Sequence, residues 1–247
     1  MLVEAIRLAC EADRAIDALR SAIGIPRRFH STKGQDRWIV ERVFEGRRGG
    51  YFVEVGAADG RTHSNTYVLE RNYGWTGIAV EANPNYIPEL RRNRRCSCVH
   101  ACVDRKAGEA DFFCFGFVGG IIGEDTDNAP ERRGALLEKR AGQVIRMQTT
   151  SLQEILSSMS APPVIDYLSI DVEGAELRIL SGFPFHRFRF EAITVERPTR
   201  AVHRVLKEAG YVLDRVYRYD GFYLSQERAS RLAIRERPFD GMAPKFF

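Results

Sequence analysis

The chain has no apolar run near the roughly 20 residues that a membrane-spanning helix requires. Its N-terminus is interrupted by Glu4, Arg7, Glu11 and Asp13, so the unbroken apolar core of a secretory signal is missing too, and the expected compartment is the cytoplasm. No internal repeat and no low-complexity block divides the 247 residues. Charge of one sign is not in excess. The 37 Lys and Arg stand against 33 Asp and Glu, a formal net charge of +4, which reads as a solvated surface and argues against nucleic-acid binding. Cysteine is scarce and odd in number, with Cys10, Cys96, Cys98, Cys102 and Cys114, a usage that fits a reducing compartment. Cys96, Cys98, His100 and Cys102 do form a ligand-like string. On one extended strand they would share a face about 6.6 Å apart, too far for one zinc tetrahedron, so core thiols are expected.

What is present is enough for one large α/β core, with 44% apolar side chains. A single domain is expected over 1–247, with an N-terminal helical segment at 1–48, a core at 49–225 and a tail at 226–247. The rest of the chain is organised around Tyr51 to Gly60, YFVEVGAADG. Its β-branched and aromatic density reads as a strand covered on both faces, and Gly56 and Gly60 as a turn that something approaches closely. A helix follows from Ser64 to Tyr73, then a strand from Gly77 to Val80 that ends at Glu81, where a nucleotide-binding unit places the acid for ribose hydroxyls. The loop is not the G-x-G-x-x-G of a dinucleotide site, and Asp59 inside it would repel a pyrophosphate. An acid there suits a cationic ligand, and S-adenosylmethionine carries a sulfonium and an ammonium beside its ribose. Taken singly, Glu54, Asp59 and Glu81 also read as ordinary strand-end carboxylates.

Along the chain, Leu2 to Ile23 has partial helical spacing and reads as a surface helix or a subunit contact that would build a homo-oligomer. A second helix is expected around Arg37 to Phe44. Asn83-Pro84 starts a helix through Arg91, and Cys96 to Val103 reads as one strand, with Asp104 or Val103 as the candidate for the adenine amine and a turn residue as the alternative. Ala110 to Phe115 reads as an added strand. The pattern is then lost from Gly116 to Arg146, a stretch that reads either as a substrate-facing insertion or as a surface loop. Ser151 and Glu154 form a capping box for a helix through Ser158. Val164 to Ile170 is a further strand, delivering Asp171-Val172-Glu173-Gly174 to the edge that holds the glycine loop. Phe190 to Val195 repeats the device at Glu196, and Tyr211 to Tyr217 with Gly221 to Leu224 closes the sheet, leaving a basic tail.

Two segments, EVGAADGRTHSNTYVLERNYGWTGIAVEANP and LSIDVEGAELRIL, resemble the signature blocks of FkbM-type S-adenosylmethionine-dependent methyltransferases, and the likeness covers roughly Gly34 to Ser225. Ala58 departs from the asparagine more usual in the family. The resemblance implies a doubly wound, mostly parallel seven-stranded sheet with helices on both faces, the Rossmann-like class I methyltransferase fold, with extra N-terminal helices. It makes S-adenosylmethionine the expected cofactor. The residues expected at it are Gln35, Asp36, Glu54, Gly56, Ala57, Asp59, Gly60, Ser64, Asn65, Glu81, Ala82, Asn83, Val103, Asp104 and Asp171. For Gln35 and Asp36 the alternative is a helix N-terminus, with Asp36 facing the dipole.

The resemblance also implies O-methylation, of a sugar, glycan or natural-product hydroxyl. Such a hydroxyl needs a base or a cation before it attacks a methyl carbon. Asp171, Glu173, Glu196 and His63 are the candidate catalytic residues. A divalent cation between the carboxylates is one route and metal-free base catalysis the favoured one, because no histidine is clearly grouped with these acids. A third reading leaves Asp171 and Glu173 only pinning the turn. Two other functions compete: a nicotinamide-dependent oxidoreductase, which should show the missing glycine turn, and a non-catalytic interaction module, which should have lost the cofactor acids.

Overall fold

The computed structural model describes residues 29–129 and 142–239. The Leu2 to Ile23 segment and residues 130–141 and 240–247 lie outside them. In chain order the first half holds α1 (Gln35–Arg37), β1 (Tyr51–Val55), α2 (Tyr67–Tyr73), β2 (Thr76–Glu81), α3 (Ile87–Asn93), β3 (Ser97–His100), β4 (Cys102–Asp104), β5 (Gly108–Cys114) and β6 (Gly120–Ile121). The second half holds β7 (Gln143–Ser151), α4 (Leu152–Ser158), β8 (Val164–Ile170), α5 (Glu176–Leu180), β9 (Arg189–Glu196), α6 (Arg200–Glu208), β10 (Tyr211–Tyr217), β11 (Asp220–Ser225) and α7 (Gln226–Arg231).

Seven strands form one sheet in the order β10-β11-β9-β8-β1-β2-β3, and β11 alone runs against the others. This is the expected doubly wound, Rossmann-like arrangement. β1 sits near the middle, buried at four of its five positions, because apolar clusters cover both faces of the sheet. Val53, Leu168 and Ile193 belong to one cluster, whereas Phe52, Tyr167 and Ala192 belong to the other, as the period-2 alternation of strands requires. The strand order reverses between β1 and β8, so both loops that carry acids open into the crevice at their carboxyl ends.

Three segments differ from the sequence-based expectation. Cys96 to Val103 is not one strand. β3 pairs with β2 as far as His100 opposite Glu81, and Ala101 still donates to the Glu81 carbonyl (3.0 Å), but there β2 ends and Cys102 pairs instead with Thr149 of β7. A second, four-stranded sheet, β4-β7-β5-β6, results. Cys102 therefore packs with Cys114 in one apolar cluster while Cys96 and Cys98 lie in another, so two sheets separate the string of thiols. The part of the unpatterned stretch before residue 130 folds into the β5-β6 hairpin. β7 begins at Gln143, with Ile145 and Met147 packed inward and the exposed Arg146 paired to Glu109 (3.2 Å) and Asp111 (3.0 Å). The tail, finally, is more than a basic stretch, because α7 packs Ala229 into one apolar cluster and Phe239 lies against the other.

The helix expected at Arg37 to Phe44 starts at Gln35 and widens from Trp38 to Val43, where the Phe44 amide donates five residues back to the Ile39 carbonyl (3.0 Å). Trp38 Nε1 donates to the buried Asp214 carboxylate (2.9 Å), which fixes this segment on the sheet.

Candidate active site

Gly56 has φ +88°, and a Cβ on it would stand 1.8 Å from the Asp171 carbonyl oxygen. The close approach expected at this turn is thus made by the chain's own second acidic loop, and the Asp171 amide donates to the Val55 carbonyl (3.0 Å). Glu54, just before the turn, is buried and its carboxylate is fully engaged. It accepts from Ser64 Oγ (3.0 Å), the Asn65 amide (2.7 Å), Thr66 Oγ1 (2.7 Å) and an Arg94 guanidinium nitrogen (3.0 Å). Arg94 also pairs with buried Glu70 and donates to Thr66 Oγ1 (2.7 Å), which ties loop, α2 and α3 together. These bonds hold Asn65 at the cavity, where its Nδ2 donates to Ser169 Oγ (2.8 Å) while its Oδ1, buried, has no partner.

Glu81 ends β2 at the same cavity. One oxygen accepts from the Ala58 amide (2.7 Å) and the other from the Asn83 amide (2.6 Å), which leaves each oxygen with a further acceptor direction. Burial raises its pKa, against the pull of those amides. The roof is aromatic. Phe117, on the turn between β5 and β6, stacks on Tyr86 with ring centroids 5.3 Å apart and meets His63 at 5.5 Å. Val103, Phe112 and Ile121 line the apolar side.

Asp171, Glu173 and Glu196 form the acidic end, with a carboxylate oxygen of each within 4.8 Å of the others. Burial, and after it the Glu196 charge, holds the Asp171 carboxyl well above its ordinary range, so Asp171 keeps its proton and donates it to Glu196. Burial alone would raise Glu196 as well, but Arg197, the Asp171 hydrogen bond and Lys33 outweigh it and keep Glu196 ionised below its ordinary value. Arg197 donates to both Glu196 and Glu173 at 2.8 Å and also pairs with Asp127. Lys33, reaching in from the bend before α1, is 3.2 Å from Asp220 and 3.8 Å from Glu196.

The model of the methyltransferase FkbM domain matches residues 54–214. The chain belongs to this family. No curated protein matches it in sequence. Among solved structures it is similar to a precorrin-6y C5,15-methyltransferase from Geobacter metallireducens (14% identity, TM-score 0.41, 78% of this chain and 87% of that one). It is also similar to a TehB-like SAM-dependent methyltransferase from Corynebacterium glutamicum (10%, 0.41, 88% and 98%) and to a methyltransferase from Pyrococcus furiosus (14%, 0.40, 87% and 98%).

Of the residues expected at the cofactor, Gln35, Glu54, Gly56, Ala57, Ser64, Asn65, Glu81, Ala82, Asn83, Val103 and Asp171 line the FkbM-domain cavity. Four lie elsewhere. Asp59 accepts from the Arg61 (2.8 Å) and Thr62 (2.7 Å) amides and shapes the loop, and a Cβ on Gly60 would meet Leu90 and Arg94. Asp36 accepts from the His30 amide (2.6 Å) and from Ser31, and Asp104 is held by the Arg178 fork, which brings its carboxyl below the ordinary range despite burial. The candidate catalytic residues all line the cavity, but His63 sits at its exposed rim beside Phe117, outside the carboxylate cluster. Phe117, Tyr86 and Lys33 were not anticipated. A helix or strand period does not mark them, since Tyr86 and Phe117 stand on single turns of 3-10 helix and Lys33 on a bend.

An orphaned acceptor at Asn65, an acid with spare lone pairs at Glu81 and an apolar slot beside them fit a nucleoside with a cationic tail. Among the described residues no helix is long and apolar enough to cross a membrane.

Proposed function

We propose that this FkbM domain transfers a methyl group from S-adenosylmethionine to a hydroxyl oxygen of a sugar, glycan or natural product. The observation that carries the reading is the Asp171–Glu196 pair, a carboxyl hydrogen-bonded to a carboxylate at the ends of two adjacent parallel strands, in the cavity that also holds Glu81. S-adenosylmethionine would supply an electrophilic methyl on sulfur. Glu81 would accept from ribose hydroxyls, Val103, Phe112 and Ile121 would cover the base, and Asn65 would face the cationic end. A hydroxyl must lose its proton as its oxygen attacks, and Asp171, once ionised, is the stronger base of the pair because its site favours the protonated form. Arg197 and Lys33 already neutralise Glu196 and Glu173, which supports base catalysis over a divalent ion between the carboxylates.

A mass-resolved acceptor screen with labelled S-adenosylmethionine identifies the substrate. With that acceptor, the rate should rise with pH through the raised Asp171 pKa, Asp171→Asn should abolish the rise, and a chelator should leave the rate unchanged. Loss of activity with a chelator and recovery with magnesium would refute the metal-free route. Calorimetry tests the cofactor: Glu81→Ala should weaken S-adenosylhomocysteine binding by about 1.5 to 3 kcal/mol per lost charge-assisted bond, and tight binding of a nicotinamide dinucleotide in its place would sink the assignment.

A further inference from the structure

The cavity is acidic at both ends, with Glu54, Glu81, Asp171, Glu173 and Glu196 in its lining. Among the described residues that line it, Lys33 is the one Lys or Arg side chain. It is brought there by the segment ahead of α1, which is fixed from behind: Asp36 accepts from the His30 amide (2.6 Å) and the Ser31 amide (3.1 Å), Ser31 bridges to His63, and Gln35 Nε2 donates to Asp220 (2.5 Å). The Lys33 side chain is one-seventh exposed, with Nζ 3.2 Å from Asp220 Oδ1 and 3.8 Å from Glu196 Oε1. An ammonium has three donors. The Asp220 contact uses one at hydrogen-bonding distance, whereas the Glu196 contact is too long to use a second. Asn65 lines the same cavity, and its buried Oδ1 is left without a donor. A cation and an unpaired acceptor at the end of a nucleoside cavity are the complement of an α-amino acid, whose carboxylate needs the first and whose ammonium needs the second.

We propose that Lys33, together with Asn65 of the same lining, reads the zwitterionic amino-acid end of the cofactor, Lys33 taking the carboxylate and Asn65 Oδ1 the ammonium, so that the segment ahead of α1 is part of the binding site. This rests on the S-adenosylmethionine reading above. The charge pattern makes the carboxylate, and not the adenosine, the group that Lys33 selects.

The test compares two ligands that differ only in that carboxylate, S-adenosylmethionine and its decarboxylated form, by calorimetry on the full chain. Lys33→Met should weaken S-adenosylmethionine at least tenfold and leave the decarboxylated ligand unweakened, while Lys33→Arg should recover most of the loss. Unweakened binding of the decarboxylated ligand also shows that the variant is folded. Equal weakening of both ligands in Lys33→Met and in the milder Lys33→Gln, or no weakening of either, would overturn the proposal. If the unaltered protein binds neither ligand, the cofactor reading itself fails and takes this inference with it.

Discussion

Replacing Arg94 by methionine would leave Glu54 and Glu70 buried with their shared cation gone. The Arg94 side chain is wholly buried, and its guanidinium bonds both carboxylates and Thr66. Removing one partner of a buried ion network costs roughly 3 to 5 kcal/mol, because the desolvation of the remaining charges is no longer offset. Arg94→Met should therefore lower the urea unfolding free energy by that order, far more than Arg92→Met on the exposed face of α3. An equal, small loss in both variants would mean that water replaces the guanidinium. Glu81 was legible in the sequence as a candidate by its place in an ordered unit, the acid closing the strand that follows the glycine loop and its helix, since singly it reads also as a strand-end carboxylate. Arg94 was not. In the run Arg91-Arg92-Asn93-Arg94-Arg95 each arginine looks like solvated surface, and only the tertiary position of α3 over Gly60 buries one of them.

At the scale of elements, the central strands of the large sheet could be read in advance because they are covered on both faces, and a doubly covered strand is a continuous apolar run; edge strand β3 is half exposed, and its end was misplaced. The small sheet could not. β7 has one wet face, so its apolar positions are spaced by Arg146 and Gln148 and its run looks like loop. Its boundary with α4 was readable, since the capping box is local chemistry: Ser151 Oγ accepts from the Glu154 amide (3.2 Å), and the Glu154 carboxylate accepts from the Ser151 amide (2.8 Å). Ser151→Ala should cost about 1 kcal/mol in chemical unfolding. Ser151→Asp, which keeps an acceptor, should cost much less, and equal losses would show that the β7 pairing and not the cap holds the junction. The hairpin that carries Phe117 over the cavity was beyond reach for a different reason. Its role depends on Tyr86, from the 3-10 turn that leads into α3, and His63, from the loop before α2, a convergence that no local period encodes.

For the whole molecule, gathering carboxyls at one sheet edge has a consequence for stability that is opposite in sign to that of surface ion pairs. Glu176 is buried at the start of α5, and burial, assisted by the Glu196 charge, pushes its pKa up to about 8 despite amide bonds from Val172 and Gly174. Asp171 is shifted in the same direction. A carboxyl with a folded pKa above its unfolded value holds a proton that unfolding releases, so its contribution is complete below the unfolded value and is lost as pH rises through the folded one. Carboxyls held low, such as Asp104 and Glu196, lose theirs only as pH falls below the ordinary carboxylate range, and His203, lowered by burial, acts only below its ordinary 6.5. Between pH 6.5 and 8 the protonated acids lose their contribution, while the Cys98 thiol, lowered to about 7 by its hydrogen bond with Cys96, gains one over the same window, so the carboxyl part is read as a difference between the unaltered chain and a variant. From Glu176 alone the decline is about 1.5 kcal/mol over that window. Urea denaturation of the ligand-free protein at the two ends of the window measures it, and Glu176→Gln, which has no proton to release, should decline less by that amount. A variant that loses as much stability as the unaltered chain would show that Glu176 is ionised in the folded state, and that the turn after Asp171 is wetter than its burial implies.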